Sequence, residues 1–319
     1  MGLLVDGKWQ DKWYDTDSND GKFKREQSVF RDDISTGHDT FTPESGRYHL
    51  YVSLACPWAH RALIFRKLKS LESLIDVSVV SPEMLDNGWE FSSYPGATGD
   101  KLYSFDFMHQ LYTKVDPSIT TRVTVPVLWD KKTQQIVNNE SAEIIRIFNR
   151  AFNELTGNDK DFYPDSLKEE IDTVNELVYH NINNGVYKAG FATKQSAYEE
   201  AVHALFNALD TLEDRLGTNR YLCGTNLTEA DWRLFTTLIR FDPVYHGHFK
   251  CNVRQIADYP NLFNYMKELY QMDGVAETVN FDHITRHYYY SHTMINPTQV
   301  VPVGPEQNLM SPHNREKLS

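Results

Sequence analysis

Cys56 lies in Leu54–Arg61, LACPWAHR, where an alternating apolar stretch meets a helix-forming one. A thiol at the start of a helix faces backbone N–H groups that have no intrahelical acceptor, and the positive end of the helix dipole. Both favour the thiolate and lower the thiol pKa. Only the thiolate attacks sulfur or carbon efficiently. Pro57 suits the first helical position, where no intrahelical donor is needed. Position 59 is Ala, so the motif is C-x-x-A and offers no second thiol to close an internal disulfide. A mixed disulfide formed on Cys56 must be resolved by a thiol from outside, and glutathione is the abundant candidate in a reducing compartment. The competing reading is an inert cysteine, since cysteines outside disulfides are usually buried. A proline-primed junction between strand and helix favours chemistry.

Two further features suit a peptide thiol. Val125–Pro126 opens a strand, and an X-Pro bond there can be cis and present the N–H and C=O of Val125 to an extended ligand. Glu140-Ser141 precedes a helix, with Ser141 expected as N-cap and helix donors facing an incoming carboxylate. Taken singly, these are a turn proline and an ordinary cap. Together with Cys56 they are more specific.

The elements that must position these residues follow from pattern. RYHLYVS (47–53) alternates Tyr48, Leu50 and Val52 with polar neighbours, a strand; WAHRALIFRKLKSLE reads as helix; IDVSVVS (75–81) is a short β-branched strand. Residues 82–120 read as a long functional loop or insertion. VPVLWDKKTQQIV (125–137) reads as a hairpin turning at 130–133, followed by a helix near Ser141. Beyond about residue 160 the period becomes helical. Leu167, Ile171, Val174, Val178 and Ile182 share one face, and 195–216 repeats the pattern. Thr228 with Asp231 is a variant capping box. The expected fold is an α/β domain followed by an all-α domain. Residues 1–45 form an irregular arm, 46–155 the α/β domain, 160–285 the helical domain and 286–319 a tail whose Pro-, Gly- and Ser-rich end is by default a flexible terminus, or else a strap across a partner subunit.

Composition bounds the function. A chain of 319 residues with net charge −12 and no dense Lys/Arg cluster is not built to bind nucleic acid or anionic membranes. No apolar run reaches membrane-spanning length, and no secretory signal opens the chain. The opening Met-Gly is not a lipidation signal, because position six is Asp6. Three scattered cysteines, Cys56, Cys223 and Cys251, argue for a reducing, cytoplasmic setting and against a disulfide framework. His246, His248 and Cys251, and His283, His287 and His292, lack the spacing of a known zinc module, so no metal is expected.

CPWAHR, RVTVPVLWD, NNES, GVYKAGFAT and HYYYSHTMINP together resemble the glutathionyl-hydroquinone reductases, the Xi class of glutathione transferases. The resemblance runs from the arm through the tail. It implies a thioredoxin-like N-terminal domain, an all-helical C-terminal domain and a homodimer acting in quinone detoxification. Glutathione is the co-substrate and glutathionyl-hydroquinones are the substrates. By the same resemblance the catalytic cysteine is Cys56. Glutathione contacts fall on Trp89, on Arg122, Val123, Thr124 and Val125 beside Pro126, and on Glu140 and Ser141. Arg122 would supply a planar cation for a glutathione carboxylate, and Trp89 a flat wall with one N–H donor. Tyr187 would handle the proton, while Tyr245 and Tyr288 would support the thiolate. Two other readings stand beside this one: an omega-like thiol transferase or dehydroascorbate reductase, which needs Cys56 but not Tyr187, and a non-catalytic interaction module, which needs neither.

Overall fold

The computed structural model describes residues 2–318. Its strands are β1 (Leu3–Val5), β2 (Lys8–Gln10), β3 (Tyr48–Val52), β4 (Asp76–Val79), β5 (Met84–Leu85), β6 (Gly88–Trp89), β7 (Thr121–Arg122), β8 (Val127–Asp130) and β9 (Gln135–Asn138). Its helices are α1 (Pro57–Leu68), α2 (Met108–Val115), α3 (Ser141–Arg150), α4 (Asn153–Thr156), α5 (Lys168–Val178), α6 (Gly185–Gly190), α7 (Gln195–Leu216), α8 (Glu229–Arg240), α9 (Pro260–Gln271) and α10 (Phe281–Ser291). None of the described helices is long and apolar enough to cross a membrane.

The chain divides into two compact units. One takes the chain up to Trp13, Glu26–Lys160 and Thr278–Val301. The other takes Tyr14–Arg25, Asp161–Glu277 and the chain from Pro302 onward.

The first unit is thioredoxin-like. Its main sheet has the order β4-β3-β8-β9, with β3 and β4 parallel and the remaining pairs antiparallel. Alternation of Tyr48, Leu50 and Val52 with polar neighbours predicts every second residue of β3 inward, but all five are buried. A central strand flanked by partners, with both faces covered, must bury its polar residues too. Accordingly His49 bonds the Ser78 hydroxyl at 2.8 Å and the Tyr51 hydroxyl donates to Asp100 at 2.9 Å. Burial holds the His49 imidazole neutral, with its pKa pushed down to about 4. At the end of β8, Arg47 forks onto Asp130 with contacts of 2.8 and 2.6 Å.

Two segments read as irregular carry structure. Asp6-Gly7 turns β1 into β2, both residues at positive φ, and β1 also pairs with β7. A side chain at Gly7 would strike the Pro117 carbonyl, since a Cβ there would lie 1.7 Å from its oxygen. Residues 82–120 are not one loop: they hold β5, β6 and α2. The α2 start is secured by Gln110 Oε1, which accepts from the backbone N–H groups of Asp106 and Phe107 at 2.9 and 2.8 Å.

The second unit is helical. The helix expected at 195–216 is α7. The longer pattern at 164–184 is α5, closed by a wider π turn at Tyr179–Asn183 before α6. The tail is not a loose terminus. The Arg315 guanidinium, 1% exposed, donates to the carbonyls of Leu216, Asn219 and Arg220 at 2.6–2.7 Å and so closes the end of α7.

Asp231, in the first turn of α8, is the unit's central polar node. Its carboxylate accepts from the N–H groups of Leu222 and Thr228 and from the Tyr265 hydroxyl, each at 2.8 Å. Burial nevertheless raises its pKa to about 6. Asp231→Ala orphans three buried donors at once, so it should lower unfolding stability by about 2–4 kcal/mol, read from urea melts. The sign with pH follows from a folded pKa above the unfolded value. Asp231's ionisation costs stability as pH rises from about 4 to about 6, so the gap between wild type and alanine variant should narrow over that window.

Candidate functional site

Cys56 is the N-cap of α1, extended at φ −73° and ψ 122°, with Pro57 as the first helical residue. The junction expected from sequence is therefore present. The thiol is 8% exposed and forms no disulfide. It donates to the Val125 carbonyl at 3.6 Å, across the cis Val125–Pro126 bond that precedes β8. Burial pushes Cys223 up to about 11 and raises Cys251 further, and the Cys251 thiol donates to the Phe249 carbonyl at 3.8 Å. Both are structural sulfurs.

The segment between β7 and β8 that delivers Val125 is held by a residue no sequence motif marks. Tyr112, on α2, donates from its hydroxyl to the Thr124 carbonyl at 2.9 Å and accepts from the Thr124 N–H at 3.3 Å. Asn139 Nδ2 donates to the same hydroxyl at 3.2 Å. Val123 and Val125 on either side are buried. A tyrosine spaced 12 residues from its partner leaves no periodic trace, and only the presence of α2 makes the contact legible.

At α3 the expected cap moves by one residue. Glu140, not Ser141, is the N-cap, and its Oε1 accepts from the Ala142 N–H at 3.1 Å. The longer carboxylate reaches back over the first turn, so Ser141 becomes the first helical residue. Its hydroxyl then accepts from Arg61 Nη1 at 3.4 Å. Arg61 lies on α1 with its guanidinium carbon 4.6 Å from the Trp58 ring centroid. The motif CPWAHR thus ties the cysteine helix to α3. Glu140 Oε2 also accepts from the Ser28 hydroxyl at 3.2 Å.

Arg122 points into the arm. Nε donates to Glu26 at 3.1 Å, Nη1 to the Lys12 carbonyl at 2.5 Å and Nη2 to the Trp13 carbonyl at 3.3 Å. Trp89, in β6, is buried and stacks on His287 at 4.8 Å with a 21° interplanar angle, so one face of the expected wall is already covered. His287 is in turn fixed by Nδ1 on the Pro82 carbonyl at 2.9 Å. Of the three tyrosines in YYY, Tyr288 is the buried one, at 2% exposed, with its ring 5.2 Å from His287 and 5.4 Å from His292.

Tyr187 and Tyr245 belong to the helical unit. Tyr187, on α6, is buried among aromatic rings. Tyr245 lies 6.1 Å away and Phe249 5.6 Å away, and Tyr245 and Phe249 stack at 5.5 Å. Gly190 permits this cluster, because a Cβ there would sit 2.2 Å from the Phe249 ring. Arg25 places its guanidinium carbon 4.9 Å from the Tyr187 centroid, a contact no sequence pattern announces. Among the described residues no three His, Cys, Asp or Glu side chains gather as a metal set. Of the histidines considered for metal, His283 bonds the Pro95 carbonyl through Nε2 at 2.6 Å and His287 the Pro82 carbonyl through Nδ1 at 2.9 Å.

The chain matches two family models: the glutathione S-transferase N-terminal domain over residues 55–151 and the C-terminal domain over 195–268. It is 58% identical to the glutathionyl-hydroquinone reductase YqjG of Escherichia coli, covering 99% of both chains. The glutathione-bound structure of that protein superposes with TM-score 0.91, covering 98% of this chain and 99% of that one. The glutathionyl-hydroquinone reductase PcpF of Sphingobium chlorophenolicum is 52% identical over 97% of this chain and 98% of its own. A Xi-class glutathione transferase from Natrialba magadii superposes with TM-score 0.93 at 47% identity, covering 100% of this chain and 98% of that one. A cysteine at the helix start of a thioredoxin-like unit, a separate helical unit and these full-length likenesses agree: the chain belongs to the glutathione transferase superfamily and, within it, to the Xi-class glutathionyl-hydroquinone reductases.

Proposed function

We propose that this chain reduces S-glutathionyl-hydroquinones to hydroquinones with glutathione, through a mixed disulfide on Cys56. The observation that carries the reading is Cys56 itself, an N-cap thiol 3.6 Å from the carbonyl of Val125. A sulfur so placed lies beside main chain to which a tripeptide backbone can hydrogen-bond.

Four steps balance the reaction. The Cys56 thiolate attacks the thioether sulfur, forming the Cys56–glutathione disulfide, and the sulfur–aryl electron pair leaves on the ring carbon. Tyr187 donates its hydroxyl proton to that carbon, giving the hydroquinone. The thiol of a second glutathione returns a proton to the Tyr187 phenolate. The resulting thiolate attacks the mixed disulfide, releasing oxidised glutathione and the Cys56 thiolate.

Glutathione docks on Trp89, on the Arg122–Val125 main chain beside Pro126, and on Glu140 and Ser141. Arg61 supports this role for Ser141: a hydroxyl that accepts from a guanidinium has its own hydrogen left to donate to a carboxylate. Residues 46–155 serve as the glutathione domain and 160–285 as the aryl domain, in a cytoplasmic homodimer that uses no metal. Tyr245 and Tyr288 assist the thiolate.

The test is turnover of a glutathionyl-hydroquinone with glutathione, following oxidised glutathione, beside a small mixed disulfide. Faster turnover of the aryl thioether is expected. Turnover of the disulfide alone would overturn the reading in favour of a plain thiol transferase, and no turnover of either would leave an interaction module.

A further inference from the structure

Arg25 sits at the end of the arm segment that belongs to the helical unit. Its guanidinium carbon is 4.9 Å from the Tyr187 ring centroid and 5.5 Å from that of Phe23. Its Nε donates to Asn184 Oδ1 at 2.9 Å, and Asn184 leads directly into α6, three residues before Tyr187. The segment carrying it is well anchored. Phe23 is buried, 4.7 Å from the Tyr14 ring and 5.4 Å from Phe191. Lys22 pairs with Glu200 at 2.7 Å, and the Thr193 N–H donates to the Gly21 carbonyl at 3.1 Å. The cation over the tyrosine is therefore held in place by Phe23, two residues before it, and by Asn184 across from it.

We propose that Arg25 is a positioning residue whose cation compensates the phenolate left on Tyr187 when the hydroxyl proton passes to the aryl carbon. The inference rests on the proton role proposed above. A neutral phenol attracts a cation only through its ring quadrupole, whereas a phenolate spreads a full negative charge over the oxygen and ring. The attraction thus grows as the proton leaves. An interaction stronger in the transition state than in the ground state lowers the barrier, and a pre-placed charge does so without reorganising. The transfer balances: Tyr187–OH and the aryl carbanion become Tyr187–O⁻ and aryl–H, and the thiol of the second glutathione then restores the hydroxyl. Arg25 itself gains and loses nothing.

The experiment compares Arg25→Met and Arg25→Lys in wild-type and Tyr187→Phe backgrounds, using the full chain. Arg25→Met should lower kcat on a glutathionyl-hydroquinone by about tenfold, less than the roughly hundredfold or more that the general acid itself supplies, with KM for glutathione within about twofold. Arg25→Lys should recover most of the loss by keeping the charge. In the Tyr187→Phe background Arg25→Met should cost less than about twofold, because the group it serves is gone. Turnover of a small mixed disulfide, in which no carbon is protonated, should hold within about twofold. Wild-type kcat in Arg25→Met beside a slow Tyr187→Phe would overturn this inference alone. So would an equal loss on the disulfide, an equal loss in the Tyr187→Phe background, or a lysine variant as slow as the methionine one. A Tyr187→Phe enzyme at wild-type rate would overturn the proton role first, and this inference with it.

Discussion

Cys56→Ala should abolish turnover of glutathionyl-hydroquinones, by at least about 10³-fold, while the protein stays folded. The size of the effect follows from the absence of a substitute. The neighbouring position in the motif is Ala59, and the other two thiols are structural, with Cys223 pushed up to about 11 and Cys251 higher still. Neither offers a thiolate near neutral pH. The fold should survive because alanine keeps the Cβ and the Cys56 side chain caps no helix donor. Removal of the sulfur gives up the weak bond to the Val125 carbonyl but no helix cap, and the melting temperature should move by only a few degrees. A second readout makes the result specific. Brief iodoacetamide treatment of the native wild type near pH 7 should alkylate Cys56 and spare Cys223 and Cys251, as read by mass spectrometry. Reductase activity surviving in the alanine variant would remove the nucleophile from Cys56. Failure of Cys56 to react would leave it an inert sulfur.

The parts of this arrangement that the sequence made legible share a feature: their signal is local. The proline after Cys56 marks the start of α1, the heptad-like run at 195–216 is α7, and Thr228 with Asp231 opens α8. The β1–β2 hairpin was equally local. Asp6-Gly7 between the short runs Leu3–Val5 and Lys8–Gln10 is a strong hairpin signal, hidden only by the polar stretch that follows. What stayed illegible depends on distant partners. Arg122 reads as a cation waiting for a carboxylate, yet its donors meet Lys12, Trp13 and Glu26, roughly a hundred positions away in sequence. The cap of α3 shifted from Ser141 to Glu140 because the Glu140 carboxylate also has Ser28 to hold it, again from the arm. The tyrosine run resolves for a different reason. α10 buries Ile284, His287, Tyr288 and Ser291 at helical spacing, so its period selects Tyr288 over its neighbours.

The arm accordingly carries more structure than its composition suggests. Residues up to Trp13, with Glu26 and Ser28, meet the groups proposed to hold glutathione. The piece between them, Tyr14–Arg25, packs on the helix that carries Tyr187. A polar stretch poor in periodicity is what such a segment should look like. Its side chains are chosen to satisfy partners in two different units, and not to line one face of a helix or sheet.

Tyr187→Phe should slow reduction of the aryl thioether by about a hundredfold, at the low side of the usual contribution of a positioned acid. The loss is smaller than for Cys56 because water can deliver a proton to a carbanion once the sulfur–carbon bond has broken, whereas nothing replaces the nucleophile. Phenylalanine keeps the ring contacts with Phe23, Phe191, Tyr245 and Phe249, so the aromatic cluster and the fold should be unchanged. Three measurements separate a proton donor from a packing residue. In deuterium oxide the hydroquinone product should carry one deuteron on the carbon that lost sulfur, which establishes the step. The wild type should show a solvent isotope effect on kcat that changes in the variant, since the donor has changed from tyrosine to water. Turnover of a small mixed disulfide should be untouched, because that reaction protonates no carbon. An aryl-thioether rate equal to wild type would end the assignment. An equal loss on both substrates would reduce Tyr187 to a wall of the site, and the proton would have to come from elsewhere.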